Sequence, residues 1–317
     1  PGDAWIYSHE RPARHNGWMD IRLFRRMALA QAAGVGGGSL AYRSVAVGAS
    51  PDVFAQGWPP VITYAQLKPY YDTVAREMNL QVIPVGQLTQ RFVLAREAAR
   101  NLGHAARFSK APLAVSFSED WNYQLDDPFN AKHSRQFTNA HGQRQGTCIH
   151  LGNCDIGCDV RAKNSLDVNY IPRAEQCGAE VRPLHVVRFI EPRSAGYRVV
   201  FDRLEKGRMI RGEETAERVV LAAGSLGTTE LLLRCRDDYR TLPALSPLLG
   251  ARWSANGNFI SMPTYSEKHR VRQSTGPTIA GIVDFTDGAF RNERFVVEDD
   301  GFPNLLLNVF KEHIATG

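Results

Sequence analysis

The chain has 317 residues, of which 43% are hydrophobic and 22% charged, and its formal net charge is +5. This ordinary apolar content excludes an intrinsically disordered or collagen-like chain, and the length favours two domains. The mean hydropathy is −0.31 and no run of 18 apolar residues occurs, so no transmembrane segment is predicted. Nucleic-acid binding is not predicted either, because the basic residues are scattered and no recognition motif accompanies them.

The first distinctive segment is a glycine-rich loop that follows residues 1–33, which have no clean period. The loop consists of Gly34, Val35, Gly36, Gly37, Gly38 and Ser39. Four glycines in five positions do not form a helix interior, where each costs roughly 1 kcal/mol. Such a loop can present backbone N–H groups to a phosphate or a cofactor ring, and a structural turn is the alternative. It is not the dinucleotide fingerprint, because no strand precedes it with G-x-G-x-x-G spacing.

Two helices are predicted next. Thr63, with glutamine three positions later, spells a capping box, and Pro69 suits the first turn of a helix. Thr89 is a candidate N-cap for a second helix, which ends at Gly103. The polar, weakly periodic residues 104–147 predict a long surface or lid region.

Three cysteines then follow, Cys148, Cys154 and Cys158. Their spacing resembles a ferredoxin-type C-x2-C-x2-C-x3-C run with Leu151 in place of the second cysteine. Cluster and zinc sites need four ligands, so we predict free thiols and no metal, with metal binding as the alternative.

The second half of the chain alternates helices and strands. A helix over 164–176 and a strand over 181–190 precede a hairpin formed by 197–201 and 208–210. A buried strand over 217–223 then meets Gly224, and a helix covers 226–235. A strand that turns through glycine into a helix lets backbone approach a pyrophosphate at the strand's carboxyl end.

An acidic run, Glu298, Asp299 and Asp300, follows a short strand candidate. A period of two places Glu298 on the same face as Val296, where partial burial would raise its pKa. Glu298 is therefore a candidate to bind or deprotonate a substrate hydroxyl. Asp299 and Asp300 are expected to be solvated, and a wholly solvated turn is the alternative. The nine histidines have no zinc or triad spacing.

In this order the segments resemble the glucose-methanol-choline (GMC) flavoprotein oxidoreductases, and within them the cholesterol-oxidase-like branch. Five blocks in family order carry the resemblance across nearly the whole chain. They are residues 34–40, residues 54–59 (with Gly57) together with 67–71, residues 157–166, residues 222–232 and residues 253–258.

The resemblance implies a mixed α/β (α+β) fold with two incomplete domains. An FAD-binding Rossmann-like domain with a three-stranded β-meander would comprise 1–50 and 164–250. A substrate-binding domain with an antiparallel sheet and helices would comprise 51–163 and 251–317. The family's G-x-G-x-x-G strand would precede residue 1 and its catalytic histidine would follow residue 317. The chain is thus expected to be the central part of a longer flavoenzyme, and its localisation stays open.

The resemblance also implies FAD as the cofactor and a set of site residues. Gly34, Gly36, Gly37, Gly38 and Ser39 would lie against the flavin and diphosphate, Tyr42 and Arg43 at flavin-contact positions, Val187 near the adenine, and Ala223, Gly224 and Ser225 on the ADP side. Glu298 aligns with the carboxylate that faces the substrate.

The implied reaction is hydride transfer from an apolar, sterol-like alcohol to the flavin, with oxygen, a quinone or another carrier as acceptor. The alternatives are a catalytically incompetent fragment or degenerate homologue, and an iron–sulfur electron carrier built on the three cysteines.

Overall fold

A computed structural model describes residues 5–25, 27–55, 58–254, 256–261, 269 and 271–304. The chain divides into two compact units. The first unit comprises Pro1–Gly38 and Glu180–Thr264, and the second comprises Ser39–Ala179 and Tyr265–Gly317. Among the described residues no helix is both long and apolar enough to cross a bilayer.

Helices and largely antiparallel sheets alternate along the chain, which confirms the predicted mixed α/β class. The strands are β1 (Ile6–Tyr7), β2 (Met19–Phe24), β3 (Met27–Ala32), β4 (Phe108–Lys110), β5 (Phe137–Thr138), β6 (Arg144–Gln145), β7 (His185–Pro192), β8 (Tyr197–Glu205), β9 (Arg208–Ala216), β10 (Gly281–Asp284) and β11 (Val296–Glu298). The α-helices are α1 (Tyr64–Glu77), α2 (Gln90–Asn101), α3 (Tyr170–Gln176) and α4 (Gly224–Leu233). The division into a cofactor domain and a substrate domain stays a prediction.

In the first unit, β1, β2 and β3 form a sheet that the sequence did not predict. Asp20 of β2 is buried, and its carboxylate accepts hydrogen bonds from Arg22 at 3.0 Å and Gln31 at 2.8 Å. Leu23 of the same strand is 81% exposed. The sequence alternates from Met19 to Leu23, but the more buried face carries Asp20 and Arg22 and the exposed face carries Ile21 and Leu23, the reverse of the usual pattern.

The first unit also contains the predicted three-stranded meander, in which β8 pairs antiparallel with β7 and with β9. The turn between β8 and β9 has φ of 49° at Lys206 and 76° at Gly207, as a type I′ hairpin requires. Ile190 of β7 packs against Leu231 of α4 and the buried Cys235, which lies in a π-helical turn after α4.

The strand predicted over 217–223 does not form, since residues 218–222 are irregular. Val219 and Leu221 still pack toward the core of the first unit, whereas Val220 between them is 87% exposed. The alternation of a strand is therefore present. A strand also needs a hydrogen-bonded neighbour, and no described strand pairs with this segment.

In the second unit the predicted N-caps Thr63 and Thr89 are confirmed, whereas the prediction that Pro69 lies in the first turn of a helix is wrong. Gln66 N–H donates to Thr63 Oγ1 at 3.3 Å, and Thr63 N–H donates to Gln66 Oε1 at 2.9 Å. Helix α1 therefore begins at this capping box, and Pro69 lies inside it instead of in its first turn. Thr89 Oγ1 caps α2 by accepting from Phe92 N–H at 3.1 Å. The helix predicted over 164–176 is shorter, because α3 starts at Tyr170.

The interpretation of residues 104–147 as a surface or lid region is wrong. Leu113 is fully buried and Trp121 is 1% exposed, and both belong to the hydrophobic core of the second unit. Polar residues are buried there because they find partners: Gln145 donates to the Asn164 side chain at 2.9 Å and to the Arg161 carbonyl at 3.0 Å. Strands β4, β10 and β11 form the adjoining antiparallel sheet. Gly57, which is part of the block of residues 54–59 that resembles the family, lies outside the described residues.

Candidate functional site

The glycine-rich loop directly follows β3, so a strand does precede it, contrary to the prediction, although the glycine spacing still differs from the fingerprint. Gly37 N–H donates to the Gly34 carbonyl at 2.9 Å, and a turn of 3-10 helix covers Gly37–Leu40. Gly37 has a φ of 54°, which favours glycine. A Cβ added to Gly37 or Gly38 would meet no atom within 4 Å. Among the described residues, no side chain therefore fills the space beside the backbone at Gly37 and Gly38.

Residues 163–166 anchor the segment Ser39–Arg43 in the second unit. Leu166 N–H donates to Ser39 Oγ at 2.9 Å, and the Tyr42 hydroxyl donates to the Asn164 carbonyl at 3.2 Å. Burial raises the pKa of Tyr42, so its hydroxyl keeps its proton. Both segments, Ser39–Arg43 and residues 163–166, were assigned by resemblance to the family, but the sequence did not indicate that they touch each other.

Lys163 strengthens this anchor. Its buried Nζ donates to the carbonyls of Leu40 at 2.9 Å and Cys154 at 2.7 Å, and lies 4.9 Å from the centre of the Tyr42 ring. Burial lowers the pKa of Lys163 to about 8, against nearby thiols and acids that raise it. Sequence reasoning assigned no role to this lysine, because a single lysine carries no pattern.

The predicted ADP-side residues lie together within the first unit. Helix α4 begins at Gly224, which has a φ of 72°, and no side chain caps this end at Ala223. Thr228 Oγ1 accepts from Ala223 N–H at 3.1 Å, but Gly224 and Ser225 are exposed, so their N–H groups and the positive end of the helix dipole can meet an anion. Arg234, just after α4, donates to the Val187 carbonyl at 3.2 Å and joins the helix to β7.

Glu298 ends β11 in the second unit. Val296 and Glu298 are partly buried and Val297 between them is 51% exposed, as the predicted period of two requires. Burial raises the pKa of Glu298, and Asp299 adds to this while Arg43 opposes it. The catalytic role of Glu298 stays a prediction.

The expectation that Asp299 is solvated is wrong. Its side chain is fully buried, and its Oδ1 accepts from Ala280 N–H at 2.7 Å and Gly281 N–H at 2.8 Å. Arg91 of α2 lies with Nη1 at 3.7 Å from the other carboxylate oxygen. Burial raises the pKa of Asp299, and Arg91 and the two backbone donors lower it. Asp299 thus joins β10 to the turn after β11.

Arg91 is a structural residue that the sequence analysis missed. Its side chain is 6% exposed. The guanidinium donates to the carbonyls of Thr275, Pro277 and Thr278 at 3.1, 3.0 and 3.1 Å. It also donates to the backbone carbonyl of Asp299. An arginine in an amphipathic helix usually faces solvent, so no sequence signal indicated this burial.

The expectation that Asp300 is solvated is also wrong. Its carboxylate lies 3.1 Å from Nη1 of Arg43, whose Nε is 3.3 Å from Asp155. Burial raises the pKa of Asp300 to about 7, and Asp155 and Glu298 act in the same direction. The structure therefore brings together two predicted site residues, Arg43 and Glu298, with two acids that the sequence did not select.

The three cysteines, Cys148, Cys154 and Cys158, line a small cavity of about 30 Å³ together with His150. All three are free thiols, and burial raises the pKa of Cys148 and Cys154. Nε2 of His150 lies 2.9 Å from Gln87 Oε1, and burial lowers the pKa of this histidine to about 3. Within the described part of the chain no three His, Cys, Asp or Glu residues are placed to hold a metal ion. The metal-free state stays a prediction.

Comparison with known proteins gives one family and several relatives. Residues 15–235 match the family model described as GMC oxidoreductase. The chain is 33% identical over 249 residues to a cholesterol oxidase of Mycobacterium tuberculosis. This alignment covers 76% of this chain and 41% of the relative. It is 27% identical over 262 residues to a cholesterol oxidase of Acinetobacter baumannii, and this alignment covers 77% of this chain and 44% of the relative. The matched region thus spans less than half the length of these relatives.

Proposed function

The chain belongs to the GMC oxidoreductase family, whose members are FAD-dependent flavoproteins, and we propose that it takes part in the oxidation of a CH–OH group. The substrate that we propose is an apolar, sterol-like alcohol, whose hydride FAD would accept. The two relatives named as cholesterol oxidases support this substrate class. The observation that carries the proposal is the glycine loop, where no atom of the described residues lies within 4 Å of a Cβ added at Gly37 or Gly38.

The described residues fit an FAD molecule in two places. The loop of Gly34–Ser39 offers uncovered backbone at Gly37 and Gly38 for a flat ring or a diphosphate. The uncapped start of α4 at Gly224 offers N–H groups to a phosphate. Bound FAD would supply the hydride acceptor.

The remaining residues of the chain would position the reactants and hold protons. Lys163 and Asn164 keep the segment Ser39–Arg43 in a fixed conformation after the loop. Glu298 has a carboxyl group whose pKa is raised by burial, so it can accept a proton or a hydrogen bond from a substrate hydroxyl. Oxygen, or a quinone or other carrier, would then accept the electrons.

The first experiment measures FAD uptake. The purified full-length protein should show the absorption bands of oxidised flavin, and Gly38→Ala should lower its FAD content while the melting temperature without FAD stays unchanged. Gly86→Ala is the matched control, because a Cβ at Gly38 or at Gly86 meets no atom within 4 Å and neither residue has a positive φ. A protein that takes up no FAD would support the alternative of a degenerate homologue.

The second experiment tests the reaction. Anaerobic addition of cholesterol in detergent micelles should bleach the flavin absorption, and ethanol should bleach it far more slowly. Oxygen consumption after admission of air would identify an oxidase, whereas reoxidation only by an added quinone would identify a dehydrogenase. Flavin that neither alcohol reduces would contradict the proposed activity.

A further inference from the structure

The Arg43 side chain joins three segments of the second unit. Its Nη1 lies 3.1 Å from Asp300 Oδ2, and its Nε lies 3.3 Å from each oxygen of Asp155. The guanidinium lies 5.1 Å from the centre of the Phe302 ring. It therefore connects the segment after the glycine loop with the cysteine-containing loop and with the turn after β11.

The positive and negative charges around the Arg43 side chain do not balance. Arg43 faces two carboxylates, of Asp155 and Asp300, and the carboxylate of Glu298 acts on both Arg43 and Asp300. Arg91 also lowers the pKa of Asp300, but burial and the neighbouring acids outweigh both arginines.

Burial also raises the pKa of Asp155, and Arg43 and Lys163 oppose this rise. At Asp300 two neighbouring acids, Asp155 and Glu298, add to the rise that burial causes. In both carboxylates Oδ1 is buried and has no hydrogen-bond partner among the described residues. A proton can therefore bind Asp300 at Oδ1 without displacing another donor.

We propose that Asp300 is a positioning residue for alcohol oxidation: its ion pair with Arg43 holds the turn that follows Glu298 against the segment Ser39–Arg43, and a proton on Asp300 loosens this hold. The proposal rests on the proposed function, in which Ser39–Arg43 adjoins the flavin and Glu298 faces the substrate. A neutral Asp300 is no longer a counter-ion, so Arg43 keeps only Asp155 as its charged partner.

The experiment compares the FAD-loaded wild type with Asp300→Asn, which has nearly the same shape but cannot ionise. The wild-type kcat should rise with pH through an inflection near 7. Asp300→Asn should keep its FAD, lose this inflection and remain about tenfold or more below the wild-type plateau. Asp300→Glu should restore the inflection. Asp287→Asn is the control, since Asp287 is an exposed acid that pairs with Arg107 in another turn of the same unit.

A second readout does not depend on activity. The pKa of Asp300 is higher in the folded chain than in the unfolded chain, so the folded state binds the proton more tightly. Stability from this group should therefore fall as pH rises from about 4 to about 7. The melting temperature of Asp300→Asn minus that of the wild type should therefore increase from about pH 4 to about pH 7 and stay constant at higher pH.

Three results would overturn the inference, and they are distinguishable. A protein that holds no FAD removes the proposed function together with any role of Asp300 in it. An active, FAD-loaded protein in which Asp300→Asn keeps the wild-type pH profile refutes the positioning role alone. Melting temperatures that differ by the same amount at every pH would show that Asp300 does not titrate between about pH 4 and about pH 7.

Discussion

Replacing Arg91 by methionine should destabilise the second unit more than any exposed substitution in α2. Methionine keeps an unbranched apolar stem and a similar helix propensity, so the change removes mainly the guanidinium. Four backbone carbonyls then lose a buried donor, those of Thr275, Pro277, Thr278 and Asp299.

The size of this effect follows from two independent considerations. A lost hydrogen bond costs about 1 kcal/mol, and Arg91 makes four of them. Removing one partner of a buried ion pair costs about 3–5 kcal/mol, and Arg91 is a charged neighbour of the buried Asp299. We therefore expect Arg91→Met to lower the free energy of unfolding by about 3–5 kcal/mol.

The loss should depend on pH in a defined direction. Without Arg91 the pKa of Asp299 rises further, because the guanidinium lowers it in the wild type. Protonation then neutralises the buried carboxyl, so the destabilisation should be smaller near pH 5 than near pH 8.

Urea unfolding followed by tryptophan fluorescence measures this loss, since the buried Trp121 reports on the core of the same unit. Arg100→Met is the matched control, because Arg100 is exposed near the end of the same helix and should change stability by less than about 0.5 kcal/mol. An Arg91→Met protein as stable as Arg100→Met would refute the reasoning.

Three further predictions concern the candidate site. Gly37→Val should abolish or greatly weaken FAD binding, because a β-branched residue is strained at a φ of 54°; unchanged FAD content in a stable protein would contradict this. Glu298→Gln should keep FAD but lower turnover by roughly 10²-fold or more, and turnover within a few-fold of wild type would make Glu298 a surface acid. Cys148, Cys154 and Cys158 should carry no metal, and stoichiometric iron or zinc in anaerobically purified protein would overturn this prediction.

Local interactions account for what the sequence determined. Thr63 and Thr89 cap helices because a side-chain oxygen reaches an N–H group only three residues away. The meander was readable because its strands alternate and the turn at Lys206 and Gly207 tolerates positive φ. The same period of two placed Glu298 on a partly buried face, since successive side chains of a strand point to opposite sides.

Long-range contacts decided the rest. Residues 104–147 are polar yet include core positions such as Leu113, because buried polar groups such as Gln145 are satisfied by partners elsewhere in the chain. The alternating residues of 217–223 form no strand, because alternation cannot supply a hydrogen-bonded neighbour. Asp299 looks like its neighbours in a surface turn, but it is buried because the Arg91 guanidinium and two backbone donors of β10 compensate its carboxylate. Whether an acid is solvated or buried depends on the groups that the fold brings to it, and those groups lie far away in the sequence.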